Sequence, residues 1–411
     1  MLCHCTSAKL ARREIIQMAI WVWIEILILY ATVVGGYALF LLPQRGGRVT
    51  SRHRSVVYSC LVFLGLSSLW LIWAMRFSQT GWDFTQFYIA AHLPVSALYS
   101  RSAFVDFGEN SLAPLGIHYY PPFVRPAVFA LALKPLAVLP YWSAYWVWAA
   151  VGFAAYAATL LILFRWLALP NALLPAFAAF MPSQFGIITG QDANVYLLVL
   201  VSGLLLVVRE KQLVGGCLLA LCAYKFNLII FLPFVLLSKA RWKSLSSFGI
   251  GTASAALVSA ALVVPSEYLA LLRTISIHTI GFTPGGIRGV AVRAGHEGWY
   301  YPFALAGAAL CVYLIWKLPL VEAFCVAITG ALLLSYHVTW YDCALLVLPI
   351  AVAWRGASIV TRTVLLALLL FPLSWFVGKE IFQVVAETVL LLRFAAIALD
   401  QPGNQEQRVA C

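Results

Sequence analysis

The groups in this chain that can carry chemistry are few, and most lie at the edges of apolar runs. Asp83 stands in GWDFTQFYIAAH (81–92), among Trp82, Phe84, Phe87 and Tyr88. A carboxylate in an aromatic setting loses hydration, which raises its pKa and its basicity and suits it to general-base work. The same aspartate is also well placed to cap the helix that TQFYIAAHL predicts. Lys225 sits between two apolar arms of about a dozen residues each, too short to span. A lysine there either binds a phosphate, or forms a structural ion pair or snorkels to the interface. Arg288 and Arg293 lie in a glycine-rich stretch that either folds over a ligand or stays solvated.

His337 and Asp342 flank Thr339-Trp340-Tyr341. An imidazole and a carboxylate there suit phosphate and sugar respectively; a hydrogen-bonded helix end is the alternative. Gly190-Gln191-Asp192-Ala193-Asn194 opens a helix with Asp192 as its cap. Gln191 and Asn194 are then placed to hydrogen-bond a sugar or a headgroup. His118-Tyr119-Tyr120-Pro121-Pro122 puts Tyr119 and Tyr120 at headgroup level, where aromatic residues gather.

Other chemistries are excluded by what is missing. The nucleotide loops GxxxxGK-Ser/Thr and GxGxxG are absent, as are HExxH and GxSxG. That argues against an ATP-driven pump, a zincin and a serine hydrolase of known local signature. The nine cysteines are scattered, none spaced as CxxC, and read as small core residues. Cys3-His4-Cys5 has no second ligand pair to complete a metal site. No cofactor or metal is called for.

The elements that must position these groups are membrane helices. The chain has 411 residues, 63% hydrophobic and only 10% charged, where a soluble chain is roughly a quarter charged. Net charge is +12. The basic residues fall in short clusters between apolar runs, the positive-inside pattern rather than a nucleic-acid module. The run 15–42 reads as a retained helix flanked by Lys/Arg on both sides, so charge does not orient it. With 44–54 in the cytoplasm, 55–76 crosses outward and 77–121 forms an outer loop. The stretch 122–139, broken by Pro126 and Pro135, reads as re-entrant or interfacial. The runs 141–167, 170–188 and 192–208 then cross in, out and in. Basic clusters at 209–211 and 239–243 bracket 212–238. Either both are cytoplasmic and the chain turns near Lys225, or one long tilted helix separates them. After 244–264 comes a second outer loop, 265–299. The runs 300–316, 320–336, 343–354, 363–378 and 381–399 complete the chain, with a polar link at 337–342 below the outer surface.

The motifs fall in a recognisable order: Asp83 in its aromatic segment, AAH…ALY at 90–99, YYPPF at 119–123, PLAVLP at 135–140, GQDAN at 190–194, Lys225, then HVTWYD…LP at 337–349. Together they resemble family 87 of the glycosyltransferases, the polyprenol-phosphate-mannose-dependent mannosyltransferase-like proteins of the C-type superfamily, over roughly 55–355. The resemblance implies an all-α polytopic membrane fold of about 12–13 transmembrane helices with short re-entrant or interfacial helices outside. It also implies a sugar carried on a polyprenyl phosphate, and a base matching Asp83 with a late His matching His337.

The expected protein is an inverting hexosyltransferase, mannose being the expected sugar, that passes it to an extracytoplasmic lipid or glycan acceptor. Asp83 is the expected base. Lys225, His337, Arg288 and Arg293 are assigned to the phosphate, and Tyr119, Gln191 and Asp342 to the sugar or acceptor. The partners are the polyprenyl-phosphate donor, the acceptor and membrane lipids, without nucleic acid. The location is the cell inner membrane, with the site facing outward. The chain divides into 1–54 (extra helix and basic loop), 55–355 (core) and 356–411 (last helices and tail). A transporter or flippase would be expected to show inverted repeats, and only one broken pair is seen. A non-catalytic assembly subunit would keep the helices without a buried base.

Overall fold

The structure, a computed structural model, describes residues 81–278, 285–370 and 379–400. The expected elements 15–42, 44–54 and 55–76 lie outside the described residues. Within the described residues the chain is helical, with no strand. Tyr141–Trp166, Trp242–Leu262 and Glu297–Lys317 are long and apolar enough to cross a membrane. On Tyr141–Trp166 the buried residues Tyr141, Ala144, Tyr145, Ala149, Gly152, Ala155, Tyr156 and Thr159 recur every three or four positions. They make one inward stripe. Trp146, Phe153 and Leu161 point away from it and are exposed, as lipid-facing residues must be.

Many of the other helices are shorter than a span. The run 170–188, expected as one outward helix, is instead two, Leu174–Ala178 and Met181–Thr189. Each begins with a proline in its first turn, Pro175 and Pro182. Proline is tolerated there because its missing N–H would be unpaired anyway, but it cannot continue a preceding turn. Uniform hydropathy hides that break. The stretch 122–139 is divided as expected, into Ala127–Leu133 and a 3₁₀ turn at Lys134–Val138.

The segment 212–238 turns back near Lys225 rather than running as one long tilted helix. Gln212–Ala220 runs into a 3₁₀ stretch, Leu221–Leu228, where Lys225 leaves helical geometry (φ −114°, ψ 65°). The chain then returns through Leu232–Ser238. Arg241 Nη1 meets the Glu210 carboxylate at 2.6 Å, so the two basic clusters share one end of the bundle. Gln212–Ala220 is wedged between Ala193–Val208 and Trp242–Leu262. A Cβ on Gly216 would lie 2.3 Å from the Ser244 carbonyl oxygen, and one on Gly215 would lie 2.9 Å from the Val207 amide. Small residues let these backbones approach, the usual basis of tight packing in lipid.

A large apolar core joins helices 141–166, 193–208, 320–334 and 379–399. A second core gathers Phe84, Phe87, Tyr120, Phe123, Tyr141 and Tyr145 at the end of the bundle opposite Arg165 and Arg241. The candidate site lies where these two cores meet.

Candidate active site

Asp83 begins the helix Phe84–His92, but its side chain makes no capping hydrogen bond. The carboxylate therefore remains available for chemistry. It is half-buried, and burial is the main cause that raises its pKa from 3.8 to about 6. The Gln191 side chain approaches it and, with Arg125, partly offsets that rise. The Gln191 amide nonetheless closes no hydrogen bond of regular geometry.

Backbone bonds and an aromatic ladder fix this corner. The amides of Gly81 and Asp83 donate to the Ile188 and Thr189 carbonyls, each at 3.0 Å. Gly190 follows in the left-handed region at φ +78° and ends Met181–Thr189. A Cβ there would sit 2.5 Å from that of Phe84. Helix 141–166 presents Tyr141, Tyr145 and Trp148 on one ridge. They donate to the carbonyls of Gly81 (2.7 Å), Ile188 (2.8 Å) and Gly190 (2.9 Å). The i, i+4, i+7 spacing that makes such a ridge is legible in YWSAYWVW, though not its targets.

Beside Asp83 lies a buried chain of charges. Arg125 presents Nε to Asp192 Oδ2 at 3.2 Å. Lys225 Nζ lies 2.7 Å from Asp192 Oδ1 and 2.8 Å from Asp342 Oδ1. Asp192 is fully buried. It occupies an N-cap position without capping, which corrects its expected role: its carboxylate turns to the two cations instead. Asp342 does both jobs. Its Oδ2 accepts from the Thr339 amide (3.0 Å) and hydroxyl (2.7 Å) in a reciprocal capping box, and its Oδ1 faces Lys225. Arg125 was not singled out from the sequence. Pro126 follows it, and the Tyr99 hydroxyl donates to its carbonyl at 2.9 Å, so this proline-rich segment is held extended. Two cations balance two carboxylates, so the network is neutral. Buried charges persist only when paired this way.

The remaining expected residues fall at different distances from this centre. The His337 ring lies in the field of Asp342, Arg125, Arg288 and Lys225. Its carbonyl accepts from Asn227 Nδ2 at 2.7 Å. Tyr119 is half-buried, and burial together with the nearby Asp83 charge pushes its phenol up. Arg288 is engaged elsewhere: it pairs with Glu297 (2.7 Å), donates to the Tyr336 carbonyl (3.0 Å) and lies 3.5 Å over the Tyr336 ring. Arg293 ends the helix Gly286–Arg293 and is exposed.

Apolar spans around a buried ionic centre, with a carboxylate at its edge, define an all-helical polytopic membrane protein with an enzyme-like site. The family model for glycosyltransferase family 87 matches residues 119–389. The chain belongs to that family and is a membrane glycosyltransferase. No curated protein matches it. The matched stretch contains Arg125, Asp192, Lys225, His337 and Asp342. Asp83 precedes it.

Proposed function

We propose that the protein transfers a hexose, mannose first among candidates, from a polyprenyl-phosphate donor to a lipid or glycan acceptor on the outer face of the inner membrane. The observation that carries this reading is the half-buried, uncapped Asp83 carboxylate beside the Arg125–Asp192–Lys225–Asp342 chain. A sugar on a lipid phosphate already has its leaving group, so no nucleotide loop is needed. Asp83 takes the proton of the acceptor hydroxyl as that oxygen bonds the anomeric carbon. The carbon–phosphate oxygen bond breaks, and the phosphate keeps the electron pair. One base and one direct displacement give inversion.

The departing phosphate gains negative charge. Arg125 and Lys225 are cations already fixed by their carboxylate partners, with the His337 ring in their field, and fixed donors stabilise developing charge without reorganising. Arg288, although paired with Glu297, and the exposed Arg293 are also proposed for the phosphate. Gln191, Tyr119 and Asp342 are proposed for the sugar or acceptor. The basic clusters at 209–211 and 239–243 support an outward-facing site, since they occupy the far end of the bundle.

The test is a transfer assay with labelled polyprenyl-phosphate hexoses. Asp83→Asn should cut transfer by about 10²–10⁴-fold, the usual contribution of a general base, with donor binding retained. Full activity in that variant would overturn the assignment of the base.

A further inference from the structure

No step proposed above uses the end of the bundle that carries Glu210 and Arg241. There the short arm Leu232–Ser238 packs against both Trp242–Leu262 and Glu297–Lys317. Lys239 ends the arm, and its Nζ donates to the Trp316 carbonyl at 3.0 Å. Lys317 follows Trp316, and Trp242 and Lys243 open the next helix. Three lysines thus stand along one seam. Among the described residues none of them pairs with a carboxylate. Glu210 is taken by Arg241, and Glu322, half-buried in the first turn of Leu320–Leu334, lies beyond ion-pair distance of all three. The wall beside these cations is apolar and open. Phe234 and Leu237 are exposed on the arm, although Val235 and Leu236 between them are fully buried. Trp242 is 58% exposed and Trp316 50%. The Lys317 ammonium lies 5.9 Å from the centroid of the exposed Tyr313 ring.

We infer that this seam is a binding site for an anionic glycerophospholipid of the adjacent leaflet. Unpaired cations call for an anion, and their place decides which one. Lys243 and Lys317 sit at the ends of helices long and apolar enough to cross the bilayer, with indoles beside them at headgroup level. The headgroup phosphate meets the three ammonium groups, and an acyl chain lies along Phe234 and Leu237. A zwitterionic lipid carries its own ammonium into the same cluster and is disfavoured. A soluble anion gains nothing from the apolar wall. The lipid rests against the arm that descends from Lys225, at the end remote from Asp83. The inference is independent of the base and of the sugar.

Lipid binding tests it directly. The full chain, delipidated in a neutral detergent at low salt, is titrated with labelled phosphatidylglycerol and, separately, labelled phosphatidylcholine. Phosphatidylglycerol should bind more tightly. The double variant Lys243→Gln/Lys317→Gln should weaken its binding about thirtyfold, the worth of two lysines at an anionic lipid surface. Both side chains are exposed, so the fold should survive, and thermal unfolding checks it. If the double variant does not fold, the two single variants carry the test. The control pair Arg165→Gln/Arg355→Gln removes the same charge from exposed positions elsewhere and should leave the binding nearly unchanged. Water-soluble glycerol phosphate at the same concentration should not displace the lipid. Equal affinity for the two lipids overturns the site. So does an equal loss in the control pair, which would show diffuse surface charge, and so does displacement by glycerol phosphate, which would show a soluble-anion site.

Discussion

The backbone amide of Asp83 donates to the Thr189 carbonyl at 3.0 Å. This bond ties the proposed base to the end of another helix, one residue before the left-handed Gly190. Gly190→Ala would place a Cβ 2.5 Å from that of Phe84 and strain φ +78°. The variant should lose about 1–3 kcal/mol of stability, and transfer should fall more than donor binding as Asp83 shifts. Thermal unfolding in detergent and a kcat-against-KM comparison check this. Wild-type values for both would show that the corner adapts freely.

The pH dependence follows from the raised Asp83 pKa. A base works when deprotonated, so kcat/KM should climb with pH through about 6 and level off above it. The folded state holds this proton more tightly than the unfolded chain does. Stability is therefore gained as pH falls from above 6 towards 4, and lost again as it rises. Asp83→Asn should remove this slope from an unfolding-against-pH series. A profile centred near 4 would place Asp83 in water.

Lys225 is shared by two buried carboxylates. Lys225→Met would leave Asp192 and Asp342 without their common cation and should cost about 3–5 kcal/mol. Adding Asp342→Asn removes one uncompensated charge and should restore part of the loss. Thermal midpoints of the single and double variants test the coupling. Additive losses would mean that Lys225 does not bridge them.

Orientation can be read by labelling. In a background without reactive native cysteines, a membrane-impermeant maleimide should reach a cysteine at His118 from outside. One at Lys211 should label only after the membrane is opened. Both positions are exposed. The reverse pattern would invert the proposed topology.

The break at Lys225 was legible because a charge between two short apolar arms, bracketed by basic clusters, has few physical solutions. The uncapped Asp83 was legible as one of two readings, and only the folded backbone chose between them. Arg125 and Asp192 were not legible as a pair. They lie 67 residues apart, and each has a sufficient local explanation, one as an outer basic residue and the other as a cap. Lys225 and Asp342, separated by 117 residues, were each noticed, but nothing in the periodicity joins them. The division of 170–188 escaped for a different reason: hydropathy averages over Pro175 and Pro182, whereas the backbone does not.

The contact between Glu210 and Arg241 also fixes how Lys225 reaches the ionic centre. Because the stretch leaves and rejoins one end of the bundle, the depth of its tip is set by the length of its two arms. Lengthening either arm would therefore carry Lys225 away from Asp192 and Asp342 without adding a crossing.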